Sequence, residues 1–149
     1  MHLADLTHLL DTPAAPADLV PPPRFRTATF ASYRVDDAVP GQAEAVAAVR
    51  AFAETSQGLM ARWFRRNGKP GLYLDGSFGV GKTHLLAACW HAAAGDRRYL
   101  SFSDAMSLMI MRSPQQAADL LAADLVCIDE FELDDPTNTR LIDLLLGLL

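Results

Sequence analysis

Eight consecutive residues limit this chain more than any others: Gly76-Ser77-Phe78-Gly79-Val80-Gly81-Lys82-Thr83. They lie between the apolar run Leu72-Tyr73-Leu74-Asp75 and a helically patterned stretch that begins at Lys82. Glycines at 76, 79 and 81 let the backbone turn tightly, so that successive N–H groups converge on one point. A strand before and a helix after form the context in which G-x-x-x-x-G-K-[ST] spells a phosphate-binding, or Walker A, loop. The helix adds the positive end of its dipole. Lys82 is then placed to reach the β- and γ-phosphates of a nucleotide, and the Thr83 hydroxyl to coordinate Mg²⁺.

The rest of the pattern extends that unit. The helix from Lys82 should run to about Ala94 and close at Gly95, with Leu85, Leu86, Cys89, Trp90 and Ala93 on one apolar stripe. A short strand is expected over Tyr99-Leu100-Ser101-Phe102, then a helix capped by Ser103 and reaching Met111. Met106, Met109, Ile110 and Met111 of that helix are read as core. Ser113-Pro114 breaks the chain before an amphipathic turn, and Leu125-Val126-Cys127-Ile128 reads as a buried strand. A loop over 131–139 leads to a last apolar helix, 140–149. Upstream, Pro40-Gly41 opens a helix with Val46, Val49, Phe52 and Ala53 on one face, and a second short helix over 58–66 ends at Asn67-Gly68. Strands alternating with helices indicate an α/β domain with a mostly parallel sheet and helices on both faces. Residues 1–10 read as a short helix, and prolines at 13, 16, 21, 22 and 23 make a tether ending near Arg24. The expected division is therefore 1–24, helix and tether, and 25–149, the folded domain.

Asp129 closes the apolar run at 125–128. A carboxylate at the carboxyl end of a buried parallel strand points into the crevice where open α/β sheets take ligands. As a Walker B pair, Asp129 would hold Mg²⁺ through water, and Glu130 would be the general base that polarises an attacking water. The pair follows the loop lysine by 47 positions (129 − 82), with one strand–helix unit between. Asp-Glu favours a hydrolase over a small-molecule kinase, which must exclude water. Glu132, Asp134 and Asp135 continue the acidic run as loop and cap. Arg62, Arg65, Arg66 and Lys69 read as a solvated basic face, and His84 and His91 as packing or surface residues.

Composition narrows the class. A net charge of −5 argues against a broad nucleic-acid footprint, which needs a Lys/Arg surplus. Cys89 and Cys127 have no metal-ligand spacing and read as buried thiols in a reducing compartment. No run reaches the ~18 apolar residues of a membrane span, and the N-terminus has neither signal nor transit character, so a cytoplasmic location is expected.

Two stretches resemble a known family. GLYLDGSFGVGKTHLLAACW (71–90) and LVCIDEFELDDPTNTRLIDLLLGLL (125–149) are similar to the ZapE-type cell-division ATPases, the AFG-like branch of the AAA+ superfamily. Leu72, Tyr73, Gly76, Gly81, Lys82, Thr83, Asp129, Glu130, Phe131 and Asp135 carry the match, and FASYRVDDAVPGQAEAVAAVRAFA (30–53) extends it upstream. The resemblance implies an AAA+-like P-loop fold, ATP and Mg²⁺ as ligands, and ATP hydrolysis. It also implies partners among cell-division proteins and an oligomeric full-length form. GKTHLL is equally similar to DnaA-type initiators and DnaC/IstB-type loaders, which keeps a replication or transposition loader open, as well as a nucleotide-binding segment without turnover. The sensor strand, arginine finger and helical lid of AAA+ proteins would fall after Leu149. The domain is therefore expected to be partial at its C-terminus, with turnover by these residues alone left open. The family arrangement further implies that residues 72–75 and 125–128 are not adjacent strands but stand about two strand spacings, ~10 Å, apart.

Overall fold

A computed structural model describes residues 18–36, 38–55, 71–131 and 136–149. The expected helices over 1–10 and 58–66, the basic cluster from Arg62 to Lys69, and Glu132, Asp134 and Asp135 lie outside the described residues. Among the described residues the elements are a 3₁₀ turn (Pro23–Phe25), α1 (Gln42–Thr55), α2 (Lys82–Ala92), β1 (Arg97–Ser101), α3 (Phe102–Met111), α4 (Pro114–Leu121), β2 (Leu125–Asp129) and α5 (Pro136–Leu148).

β1 and β2 pair in parallel, Tyr99 opposite Cys127 and Ser101 opposite Asp129. Side chains alternate across a strand, so each strand feeds both faces of this two-stranded sheet. On one face Tyr99, Leu125 and Cys127 pack with Val49 and Ala53 of α1 and Ala87 and Cys89 of α2. On the other, Leu100 joins Met106, Ala117, Leu121, Ile142 and Leu145 from α3, α4 and α5, with Val126 and Ile128 packed against them. Helices on both faces of a parallel sheet were the architecture expected from the sequence. α2 is enclosed more widely than its single expected stripe: Ala87 and Ala88 are buried as well as Leu85 and Cys89. Small side chains there let α1 approach closely.

Several expectations change in detail. Residues 72–75 join no ladder among the described residues, and Leu72 and Tyr73 are 43% and 66% exposed. The run has strand composition but no described neighbour to take its backbone groups, and composition alone does not make a strand. The ladder that would have set it beside 125–128 does not form. Ser101, not Ser103, caps α3: its side chain accepts from the Asp104 amide at 3.0 Å, and the Asp104 carboxylate accepts from the Ser101 amide at 3.3 Å. Three residues after Ser103 stands Met106, which cannot return the bond. Met106 and Met109 are core, whereas Ile110 and Met111, in the last turn, are 74% and 61% exposed. α5 starts at Pro136, ahead of the expected residue 140. At the described end of the proline-rich stretch, Leu19 is buried and its carbonyl accepts from the Tyr99 amide at 2.8 Å, so this segment covers the outer edge of β1.

Candidate functional site

The loop from Gly76 to Thr83 arrives at α2 through left-handed backbone. Gly79 and Gly81 have φ of 81° and 90°, a region that side chains rarely tolerate. Gly81 is doubly constrained, because a Cβ there would meet the Tyr33 ring at 2.6 Å. It occupies the N-cap of α2, so the helix's first-turn amides, which have no intrahelical acceptor, open onto the loop. The Lys82 ammonium folds back across it and donates to the Gly76 carbonyl at 2.5 Å and the Ser77 carbonyl at 2.9 Å. Phe78 is 99% exposed at the loop tip.

A segment that carried no motif holds this loop in place. The Val80 carbonyl accepts from the Tyr33 hydroxyl at 2.5 Å and the Gln42 side-chain amide at 3.1 Å. Gln42 in turn accepts from the Asp36 amide at 2.6 Å. On α2, His84 Nε2 lies 3.0 Å from the Thr29 carbonyl, and His91 Nε2 lies 3.1 Å from the Phe25 carbonyl. His84 Nε2 also lies 3.1 Å from the Ser32 hydroxyl, which ties the ring to the same turn. Spaced i, i+7, the two rings fasten residues 25–29 along one face of α2. At the other end, Arg97 donates to the Trp90 carbonyl at 2.9 Å and the Ala93 carbonyl at 3.0 Å, while its guanidinium stacks over Trp90. A cation on the last carbonyls offsets the negative end of the helix dipole.

β2 delivers Asp129 to the same place. Thr83 Oγ1 donates to Asp129 Oδ1 at 3.2 Å, which joins the two motifs across 46 positions. The Glu130 amide donates to the same oxygen at 3.0 Å, and the Tyr99 hydroxyl donates to Oδ2 at 2.8 Å. Burial first, and then the bond to Asp129 and its charge, push the Tyr99 phenol well above its ordinary range and keep it a donor. Glu130 has φ of 54°, the one described non-glycine residue with positive φ. That turns the chain out of the strand line, after which the Phe131 ring lodges between Tyr73 (5.9 Å) and Phe102 (5.0 Å). Gly76, Lys82, Thr83, Tyr99, Asp129 and Glu130 all line one open cleft.

The structure thus brings together the residues expected from the motifs and adds Tyr33, Gln42, His84 and Tyr99. Only tertiary contact reveals these four; a tyrosine two positions into a strand carries no local signal. Cys89 and Cys127 are both buried on the α2 face of the sheet. Cys127 is held in the thiol form by its bond to Cys89 and by burial. Among the described residues no three His, Cys, Asp or Glu side chains gather to hold a metal. A hydroxyl and a carboxylate are hard oxygen donors, which suits Mg²⁺, an ion that keeps most of its waters and takes one or two protein ligands.

A glycine-bent loop, a helix N-terminus, a lysine and a strand-end carboxylate around one cleft define the P-loop class of α/β proteins. A family model for AFG1-like ATPases matches residues 12–149, and the chain belongs to that family. Membership implies the P-loop fold and nucleotide use, and points to ATPase chemistry. No curated protein and no solved structure matches the chain significantly. No described helix is long and apolar enough to cross a membrane.

Proposed function

We propose that the chain binds ATP with Mg²⁺ in the cleft between the Gly76–Thr83 loop and Asp129, and that Glu130 serves its hydrolysis. The observation that carries this reading is the Thr83–Asp129 contact at 3.2 Å, which joins the two motifs at one point. The loop amides and Lys82 would take the phosphate oxygens; Thr83 and Asp129 would hold the metal, Asp129 through water. Mg²⁺, when bound, supplies positive charge to the phosphate oxygens where negative charge develops. Glu130, exposed and turned out of the strand line, is the group free to accept a proton from water. The resemblance to ZapE-type proteins supports a role beside cell-division proteins and an oligomeric working form.

The role of Glu130 is tested by Glu130→Gln, which keeps shape and removes the base. The variant should bind Mg-ATP like wild type and hydrolyse it at least ~10²-fold more slowly, the usual scale of a lost general base. Turnover near the wild-type rate would remove Glu130 from that role.

A further inference from the structure

We propose that Tyr99 is a positioning residue for Asp129, and that its hydroxyl sets how strongly Mg²⁺ and nucleotide reinforce one another at this site. The inference rests on the nucleotide-site reading above and assigns a role to a residue outside both motifs. Tyr99 belongs to β1 and faces Cys127 in the ladder, two pairs before the Ser101–Asp129 pair. It shares a face with Asp129 and is its diagonal neighbour, within the reach of an aromatic side chain.

The side chain is only 3% exposed and its ring fills the core between the sheet and α2. For that packing a phenylalanine would serve as well. A buried hydroxyl is costly unless bonded, and this one is spent on Asp129 Oδ2 at 2.8 Å. The opposite oxygen, Oδ1, takes Thr83 and the Glu130 amide. Donors from β1, α2 and the end of β2 therefore grip both oxygens and fix the plane of the carboxylate. The phenol is a neutral donor and brings no competing charge to a cation. It engages Oδ2 and leaves the Oδ1 side, shared with Thr83, as the metal-facing edge. Without the hydroxyl, Asp129 can rotate, and the edge that should meet the hydrated metal is ordered only when the metal arrives.

The test is Tyr99→Phe, which keeps the ring, read by calorimetry of ATP binding with Mg²⁺ and with chelator. Wild type should bind more tightly with Mg²⁺. In the variant, affinity in chelator should stay within about twofold of wild type, while the Mg²⁺-linked gain shrinks about tenfold, the scale of one hydrogen bond to a charged group. In an Asp129→Asn background the same substitution should change the Mg²⁺ response by less than about twofold, because the group it positions is already gone. A variant with an undiminished Mg²⁺ gain overturns the inference and leaves the nucleotide site standing. So does an equal loss of affinity with and without Mg²⁺, since that is loss of packing. If wild type binds ATP with no Mg²⁺ effect, the metal-site reading falls and takes this inference with it.

Discussion

Asp129 and Glu130 are consecutive, yet the fold treats them in opposite ways. Asp129 is held on both carboxylate oxygens, by Thr83 and the Glu130 amide on one and by Tyr99 on the other. Glu130 is exposed and sits at φ 54°, a left-handed conformation that costs a non-glycine residue ~1–3 kcal/mol. Strain at that position is consistent with a residue kept for its chemistry. Glu130→Gly should relieve it, and after the greater entropy of glycine in the unfolded chain a net gain of about 1 kcal/mol is expected. For a chain this size that is a rise of roughly 2–4 °C in melting temperature, together with loss of ATP turnover. A melting curve lower than wild type would show that the glutamate side chain supports the fold. Both carboxylates were legible in the sequence as site candidates because a strand end followed by Asp-Glu is a local pattern. The sequence could not identify Tyr99, whose role exists only through the register of β1 on β2.

The P-loop helix α2 shows the same division between local and long-range information. Its start at Lys82 was legible from Gly81 and its apolar residues from their spacing. What fastens it was not: Tyr33 and Gln42 reach the Val80 carbonyl from 47 and 38 positions away, and His84 and His91 meet carbonyls 55 and 66 positions upstream. Two elements depart from their local pattern for physical reasons. The cap of α3 fell on Ser101 because Asp104 completes a reciprocal pair, and the run 72–75 lacks a described strand partner. Since the Tyr33 hydroxyl bonds the loop from a half-buried position, Tyr33→Phe should cost about 1 kcal/mol of stability. It should also weaken ATP binding, because the loop loses one of two ties on Val80. Denaturant unfolding and calorimetry check the two effects separately, and unchanged values in both would mean that Gln42 alone holds the carbonyl.

The two cores meet at a sheet whose only described strands are β1 and β2, and apolar surface remains outside them. Leu144, Leu146 and Leu148 of α5 are exposed, while Ile142 and Leu145 of the same helix are buried. Leu144 and Leu148 lie one turn apart on the same face of the helix, an exposed apolar pair open to association. Purified protein should therefore self-associate with rising concentration, and Leu144→Lys with Leu148→Lys should reduce this in sedimentation runs with little change in melting temperature. A doubly charged variant that associates like wild type would place the sticky surface elsewhere. The α/β class, the helices on both faces and the parallel pairing of the two strands were all legible from alternation and spacing, because burial on both sides of a strand writes itself into composition. Function in this cleft depends on the Gly76–Thr83 loop and Asp129 forming a working nucleotide site. The most direct test is calorimetric titration of Mg-ATP into wild type and Lys82→Ala, with matching circular dichroism as the check on folding. Saturable binding by wild type and none measurable in the variant is the predicted result; equal affinity in the two would contradict it.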